Sequence, residues 1–179
     1  MRARPHGNCY WVRPDALLAG EYPSAADENA ARVRLGRLLD AGVGSFIDLT
    51  ESHELPPYLP MLQAEAELRG LMPRYRRMSI RDRDVPGEAA HMHAILDHVD
   101  AELAAEQRIY LHCWGGVGRT GTVVGCWLVR HGVEGEEALQ RLAQWWKDVE
   151  KSWRHERTPE TDAQHAYVLG WSKCGQREP

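Results

Sequence analysis

The stretch Arg108-Ile-Tyr-Leu-His-Cys113-Trp-Gly-Gly-Val-Gly-Arg119-Thr-Gly121 decides the fold. Its first residues form a short apolar run, which is typical of a buried strand. Three glycines then allow a tight turn. The following segment, 119–131, is apolar on nearly all sides and predicts a helix that is covered on more than one face. The stretch therefore predicts a strand, a curled loop and a central helix in direct succession.

Strands and helices are predicted to alternate along the rest of the chain. The predicted strands lie at 10–12, 16–22, 45–50 and 75–80, and helical spacing of apolar residues recurs between them and beyond residue 121. Ser24, with Asp27 three residues later, predicts the cap of the first helix. The alternation favours an α/β fold, a single layered domain over residues 1–179 with a central, mainly parallel sheet flanked by helices. Flexible tails are expected at about 1–8 and 174–179.

Composition excludes several classes of protein. The chain has 179 residues, and its net charge of −4 removes the basic footprint of a general nucleic-acid binder. Its most apolar stretch is far shorter than the ~20 residues that span a bilayer. Four scattered cysteines do not form a disulfide scaffold, so a reducing, cytoplasmic location is expected. We therefore expect neither a nucleic-acid nor a membrane partner, and the oligomeric state is left open.

The loop after the predicted strand has the chemistry of an anion site. Its glycines allow successive backbone N–H groups to turn inward at the start of a helix, where the positive end of the helix dipole also favours an anion. Arg119 adds a planar fork that matches two phosphate oxygens. Such surroundings favour the thiolate of Cys113, which is the nucleophilic form of cysteine. Because arginine and backbone amides already neutralise a phosphate, neither a metal nor a cofactor is expected.

The pattern His112-Cys113-x5-Arg119-Thr120-Gly121 resembles the signature loop of the cysteine-dependent protein tyrosine phosphatase superfamily. In length the chain resembles members of the compact dual-specificity and kinase-associated phosphatase-like branch. The resemblance implies a dual-specificity-phosphatase-like fold and a cysteinyl-phosphate intermediate, with Cys113 as nucleophile and Arg119 binding phosphate and stabilising the transition state. It also implies a phosphate cradle formed by the backbone of Trp114, Gly115, Gly116, Val117, Gly118 and Arg119.

Two further residues of the motif have supporting roles in the family. The resemblance implies that Thr120 hydrogen-bonds the sulfur and helps it leave in the second step. It implies that His112 holds the loop and tunes the thiol, although a purely packed histidine is an equal alternative.

The resemblance also requires an acid from a loop about thirty residues upstream. The sequence has Ile80-Arg-Asp82-Arg-Asp84-Val-Pro86 at that distance, and the family pattern Asp-x-x-x-Pro selects Asp82. Asp84 is the rival, and its alternative role is a solvated charge. Five arginines between residues 74 and 84 either attract a phosphorylated substrate or form a solvated face.

A segment near the C-terminus has two interpretations. Glu160-Thr161-x-x-Gln164 resembles the Gln-Thr-x-x-Gln loop that positions the hydrolytic water in some tyrosine phosphatases, with glutamate replacing the first glutamine. Thr161 and Gln164 also match a capping box for the last helix. Both interpretations are compatible with each other.

Three functions remain open at this stage. The first is a phosphatase of phosphotyrosine, and also of phosphoserine or phosphothreonine, in proteins or small phosphomonoesters. The second is a phosphoinositide or inositol-phosphate phosphatase, which the uncharged loop from Trp114 to Val117 disfavours. The third is a pseudophosphatase that binds phosphate without turnover, which intact Cys113, Arg119 and Asp82 disfavour.

Overall fold

A five-stranded sheet forms the centre of the molecule. The computed structural model describes residues 3–174, with side chains up to residue 171. The strands are β1 (Cys9–Arg13), β2 (Leu17–Gly20), β3 (Ser45–Asp48), β4 (Arg74–Arg77) and β5 (Ile109–His112), in the spatial order β1-β2-β5-β3-β4. β1 pairs with β2 in antiparallel fashion, and the pairs β2–β5, β5–β3 and β3–β4 are parallel. The prediction of a mainly parallel sheet is therefore confirmed.

Helices cover both faces of this sheet. They are α1 (Glu28–Asp40), α2 (Leu59–Glu67), α3 (Ala89–Ala104), α4 (Gly118–Arg130), α5 (Gly135–Lys147) and α6 (Asp162–Cys174), with a short 3₁₀ helix at Ser152–Arg154. α1 and α2 pack in one apolar core, and α3 to α6 contribute to the other. The molecule is a three-layered α/β structure, as the sequence predicts.

The central strand β5 contacts both apolar cores, which accounts for the apolar residues in its sequence. Successive side chains of a strand point to opposite faces. Ile109 and Leu111 lie in the core formed with α3 to α6, whereas Tyr110 lies in the core formed with α1 and α2. All four residues of β5 are buried. The strand therefore carries the residues that follow it to the middle of the sheet's carboxyl edge, where ligand sites of parallel sheets form.

Two glycines allow the C-terminal part of the chain to lie directly against α4. A Cβ atom at Gly125 would be 2.7 Å from the Val168 side chain of α6, and a Cβ atom at Gly121 would overlap the side chain of Thr158. The hydroxyl of Thr158 donates to the carbonyl of Val117, at 2.7 Å. The segment before α6 is thereby fixed next to the loop that precedes α4.

Some local predictions need correction or qualification. The predicted cap at Ser24 is wrong, because Asp27 caps α1 itself and its Oδ1 accepts from the amide of Ala30 at 2.7 Å. Arg4 donates to the carbonyl of Asp148 at 2.6 Å, which fastens part of the predicted N-terminal tail to the domain. The remainder of both predicted tails, 1–2 and 175–179, lies outside the described residues. Within residues 3–174, none of the helices has the length and apolar character needed to cross a bilayer.

Candidate active site

The loop Cys113–Arg119, which we call the signature loop, joins the end of β5 to the start of α4. Cys113 is 3% exposed, and its Sγ accepts a hydrogen bond from the amide of Gly116 at 3.2 Å. Gly116 has a φ of +70°, and a Cβ atom there would lie 2.5 Å from the backbone of Gly20. A side chain is therefore excluded at this position by both conformation and space.

An anion can approach the start of α4 directly. Val117 precedes the helix and has no side-chain group to cap its first N–H donors, which are left for a ligand. The signature loop borders a pocket of about 270 Å³. The residues lining this pocket are Asp82, Arg83, Cys113, Trp114, Gly115, Val117, Gly118, Arg119, His155 and Glu160.

Arg119 is held by a carboxylate that the sequence analysis missed. Glu54 accepts from Arg119 Nη1 at 2.6 Å and from Nη2 at 2.8 Å, and the two side chains are only 6% and 1% exposed. The carbonyl of Ile80 accepts from Nη1 at 3.0 Å. Burial by itself would raise the pKa of Glu54, but the hydrogen bonds from Arg119 and from the amide of Glu51 hold that pKa below its ordinary value. The guanidinium is thus fixed in one plane beside the signature loop.

The structure separates the two candidate acids. Asp82 lines the pocket, and its Oδ1 lies 2.8 Å from Arg119 Nη2, with half of the side chain exposed. Asp84 lines a different cavity, next to Pro86, and its Oδ1 accepts from the amide of Val85 at 2.8 Å. Of the two, Asp82 is the carboxylate beside Cys113 and Arg119.

His112 belongs to a buried polar network beneath the signature loop. Its Nδ1 lies 3.3 Å from the carbonyl of Cys113, and its Nε2 lies 2.8 Å from the hydroxyl of Tyr58. A neutral ring with the proton on Nδ1 satisfies both contacts, with Tyr58 donating to Nε2. Burial lowers the pKa of His112, which favours this neutral form. The ring therefore supports the backbone of Cys113 at the base of the loop.

Asp48 continues this network toward β4. Its carboxylate accepts from the hydroxyl and amide of Thr50, from the hydroxyl of Tyr75 and from the guanidinium of Arg77. Burial alone would raise the pKa of Asp48, but the hydrogen bonds from Thr50 and Tyr75 hold it below its ordinary value. Of the five clustered arginines, Arg77 therefore stabilises the fold through its ion pair with Asp48, whereas Arg83 lines the pocket.

Thr120 does not make the contact that the resemblance implies. Its hydroxyl is buried and has no hydrogen-bond partner among the described residues. The sulfur of Cys113 receives the amide of Gly116 instead. Thr120 lies in the first turn of α4, where the motif sets its position in the chain but not the rotamer that would aim its hydroxyl at the sulfur.

Gln164 is fully buried and bonded to backbone groups. Its Oε1 accepts from the amide of Thr161, and Oγ1 of Thr161 accepts from the amide of Gln164 in return. This is the predicted capping box of α6. Nε2 donates to the carbonyl of Asp84 at 3.0 Å, so Gln164 also ties α6 to the acid-bearing loop. Glu160, four residues earlier, reaches the pocket.

Comparison with known sequences identifies the family of this chain. Residues 23–133 match the family described as "Polymorphic toxin system, DSP-PTPase phosphatase". The chain belongs to this family. A protein of Invertebrate iridescent virus 3, named "Putative tyrosine phosphatase 067L", is 32% identical over 118 residues, which cover 64% of this chain and 42% of the viral protein. The chain thus matches less than half the length of that curated relative.

Two solved structures are similar in fold to this chain. Kinase-associated phosphatase, with its catalytic-site cysteine changed to serine, has a TM-score of 0.75 at 16% identity and covers 100% of both chains. TpbA of P. aeruginosa, in complex with phosphotyrosine, has a TM-score of 0.67 at 16% identity and covers 99% of this chain and 96% of its own. The expected compact dual-specificity-phosphatase-like fold is confirmed.

Proposed function

We propose that this chain is a cysteine-based phosphatase that hydrolyses phosphomonoesters of proteins, with phosphotyrosine as the first substrate class and phosphoserine or phosphothreonine as further ones. The observation that carries the proposal is the meeting of Cys113, Arg119 and Asp82 around one pocket, with Asp82 and Arg119 2.8 Å apart. Membership of the DSP-PTPase family supports it. The phosphotyrosine complex of TpbA supports the substrate class.

In the first step the thiolate of Cys113 attacks phosphorus. A P–S bond forms as the ester P–O bond breaks, and the leaving oxygen takes a proton from the carboxyl of Asp82. Asp82 forms an ion pair with Arg119. An entering phosphate takes over Arg119 Nη2, which frees Asp82 to face the leaving group.

In the second step water attacks phosphorus and gives a proton to the carboxylate of Asp82. The P–S bond breaks, Cys113 returns to the thiolate, and inorganic phosphate leaves. Arg119 stabilises the equatorial oxygens in both transition states, because Glu54 keeps its plane fixed. The backbone of Trp114 to Arg119 supplies the remaining donors.

The pocket walls carry charged groups of both signs. The carboxylates of Asp82 and Glu160 line the pocket together with the guanidinium groups of Arg83 and Arg119, and Trp114, half exposed, forms an aromatic wall. The net charge of −4 supports a protein partner over a nucleic acid. The cytoplasmic location remains a prediction.

The test is a substrate panel measured side by side. Phosphotyrosyl, phosphoseryl and phosphothreonyl peptides and inositol phosphates are compared by kcat/KM from phosphate release. The proposal expects the phosphotyrosyl peptides to give the highest kcat/KM. A higher kcat/KM with inositol phosphates would establish the lipid-type activity instead. Binding of phosphate without release from any substrate would establish a pseudophosphatase.

A further inference from the structure

A second cavity adjoins the proposed catalytic pocket. It has a volume of about 340 Å³, within the range of ligand pockets in proteins. Trp114 lines both this cavity and the catalytic pocket, and its indole is 52% exposed. A ligand that passes along the edge of Trp114 can therefore occupy both cavities.

The walls of this cavity are fixed by hydrogen bonds. The amide of Tyr22 donates to the carbonyl of Trp114 at 2.9 Å, which ties the chain after β2 to the signature loop. The hydroxyl of Tyr22 donates to the carbonyl of Pro56 at 2.8 Å and connects the opposite wall. The cavity is thus built into the fold and needs no rearrangement to exist.

The charged groups of the cavity neutralise each other. Arg34 lies 2.8 Å from Glu21, and Glu21 is also bonded to Lys151 at 2.6 Å. Arg34 donates in addition to the carbonyls of Tyr22 and Ser24. Since these polar groups already have partners, the surface left for a ligand consists mainly of apolar groups, contributed by Ala25, Ala26, Leu55, Pro56 and Trp114.

We propose that this cavity is a substrate subsite for an apolar side chain of the phosphorylated polypeptide, on a residue that flanks the phosphorylated one. The inference rests on the proposed phosphatase function. Continuity with the catalytic pocket through Trp114 identifies the occupant: a peptide whose phosphate lies against Cys113 passes the mouth of the second cavity.

The test scans leucine, alanine and glutamate through the positions around phosphotyrosine in one peptide. At one position, leucine should raise kcat/KM about tenfold over alanine, the factor that partial burial of one leucine side chain supplies. A nitrophenyl phosphate, which has no flanking residue, measures the chemistry alone. Equal kcat/KM for all three residues at every position would overturn the subsite. So would a preference for glutamate, which would indicate an anion bound to Arg34.

A matched pair of variants locates the effect. Ala26→Leu fills the cavity, and Ala30→Leu places the same exposed side chain on α1 outside it. Ala26→Leu should abolish the leucine preference and leave nitrophenyl phosphate turnover unchanged, whereas Ala30→Leu should keep both. Retention of the preference in Ala26→Leu would overturn the assignment. Failure of the wild type on nitrophenyl phosphate would instead refute the proposed function, and the subsite with it.

Discussion

Replacing Glu54 with glutamine tests how the fold orients the phosphate-binding arginine. The carboxylate of Glu54 makes two short bonds to Arg119, and both side chains are almost fully buried. Glutamine keeps one acceptor oxygen, but it removes the charge and places an NH₂ group against one of the guanidinium nitrogens. The remaining partners of Arg119 are Asp82 and the carbonyls of Ile80 and Leu49, and they compensate only part of its charge.

The expected size of the effect follows from these contacts. Breaking a buried ion pair costs about 3–5 kcal/mol. Because Asp82 and Ile80 remain as partners, we expect a loss of about 2–3 kcal/mol in the free energy of unfolding. For a domain of this size that lowers Tm by roughly 4–12 °C. A guanidinium free to leave its plane should also lower kcat/KM at least about tenfold at a temperature where the variant is folded.

Thermal unfolding and nitrophenyl phosphate kinetics measure the two effects. Glu51→Gln is the control, because it removes the same charge from the same loop and Glu51 bonds to Glu54 through its backbone amide and carbonyl. The control should resemble the wild type in Tm and kcat/KM. If Glu54→Gln kept wild-type kcat/KM, Arg119 would be oriented by something other than this ion pair, and the reasoning would be refuted.

Two further predictions concern the acid and the pH dependence of stability. Asp82→Asn should lower kcat/KM about 10²–10⁴-fold with a substrate that has a poor leaving group, and by less with nitrophenyl phosphate. Asp84→Asn should keep kcat/KM near that of the wild type with both substrates. The reverse pattern would make Asp84 the acid. Burial and the nearby charge of Arg34 lower the pKa of His6 to about 4, and its ring lies within hydrogen-bond distance of the amide of Asn8 and the hydroxyl of Tyr110. As the pH falls, His6 therefore binds a proton in the unfolded chain before it does so in the folded protein. The free energy of unfolding should decline between about pH 6.5 and 4, and His6 should contribute about 3 kcal/mol of that decline. Urea titrations should show a smaller decline for His6→Gln, and an unchanged decline would contradict this assignment.

The sequence predicted those parts of the fold that depend on local pattern. The apolar run before Cys113 and the glycines after it are contiguous, so strand, loop and helix could be read directly. The spatial order of the strands depends on how distant segments cross over, and the division of the helices between the two faces depends on the same connections. No local pattern carries that information.

The residues of the site also divide into those that a local pattern predicts and those that only the fold brings together. Cys113 to Arg119 lie within seven consecutive residues, and the spacing to Pro86 selected Asp82, which lines the pocket. Glu54 stands 65 residues before Arg119 in the chain, in a loop that shows no periodic pattern. Tyr58 stands 54 residues before His112. A carboxylate and a hydroxyl in such loops cannot be distinguished from solvated groups until the fold brings them to their partners.

Hydrogen-bond direction was also beyond the sequence. The motif placed Thr120 next to Arg119, but its hydroxyl is buried without a partner among the described residues. Position along a helix fixes where the Cβ atom lies, whereas the rotamer decides what the hydroxyl reaches. Thr161 and Gln164 were predicted correctly as a capping box, because that motif is defined by backbone donors three residues apart.

The most direct test of the account is to capture the phosphoenzyme. A phosphotyrosyl peptide with a radiolabelled phosphate is mixed with the protein and quenched in acid during the first turnover, and the labelled fragment is identified after proteolysis. The account predicts label on the fragment that contains Cys113 in the wild type, and neither label nor phosphate release in Cys113→Ser. Phosphate release by Cys113→Ser at a rate near that of the wild type would contradict the covalent mechanism.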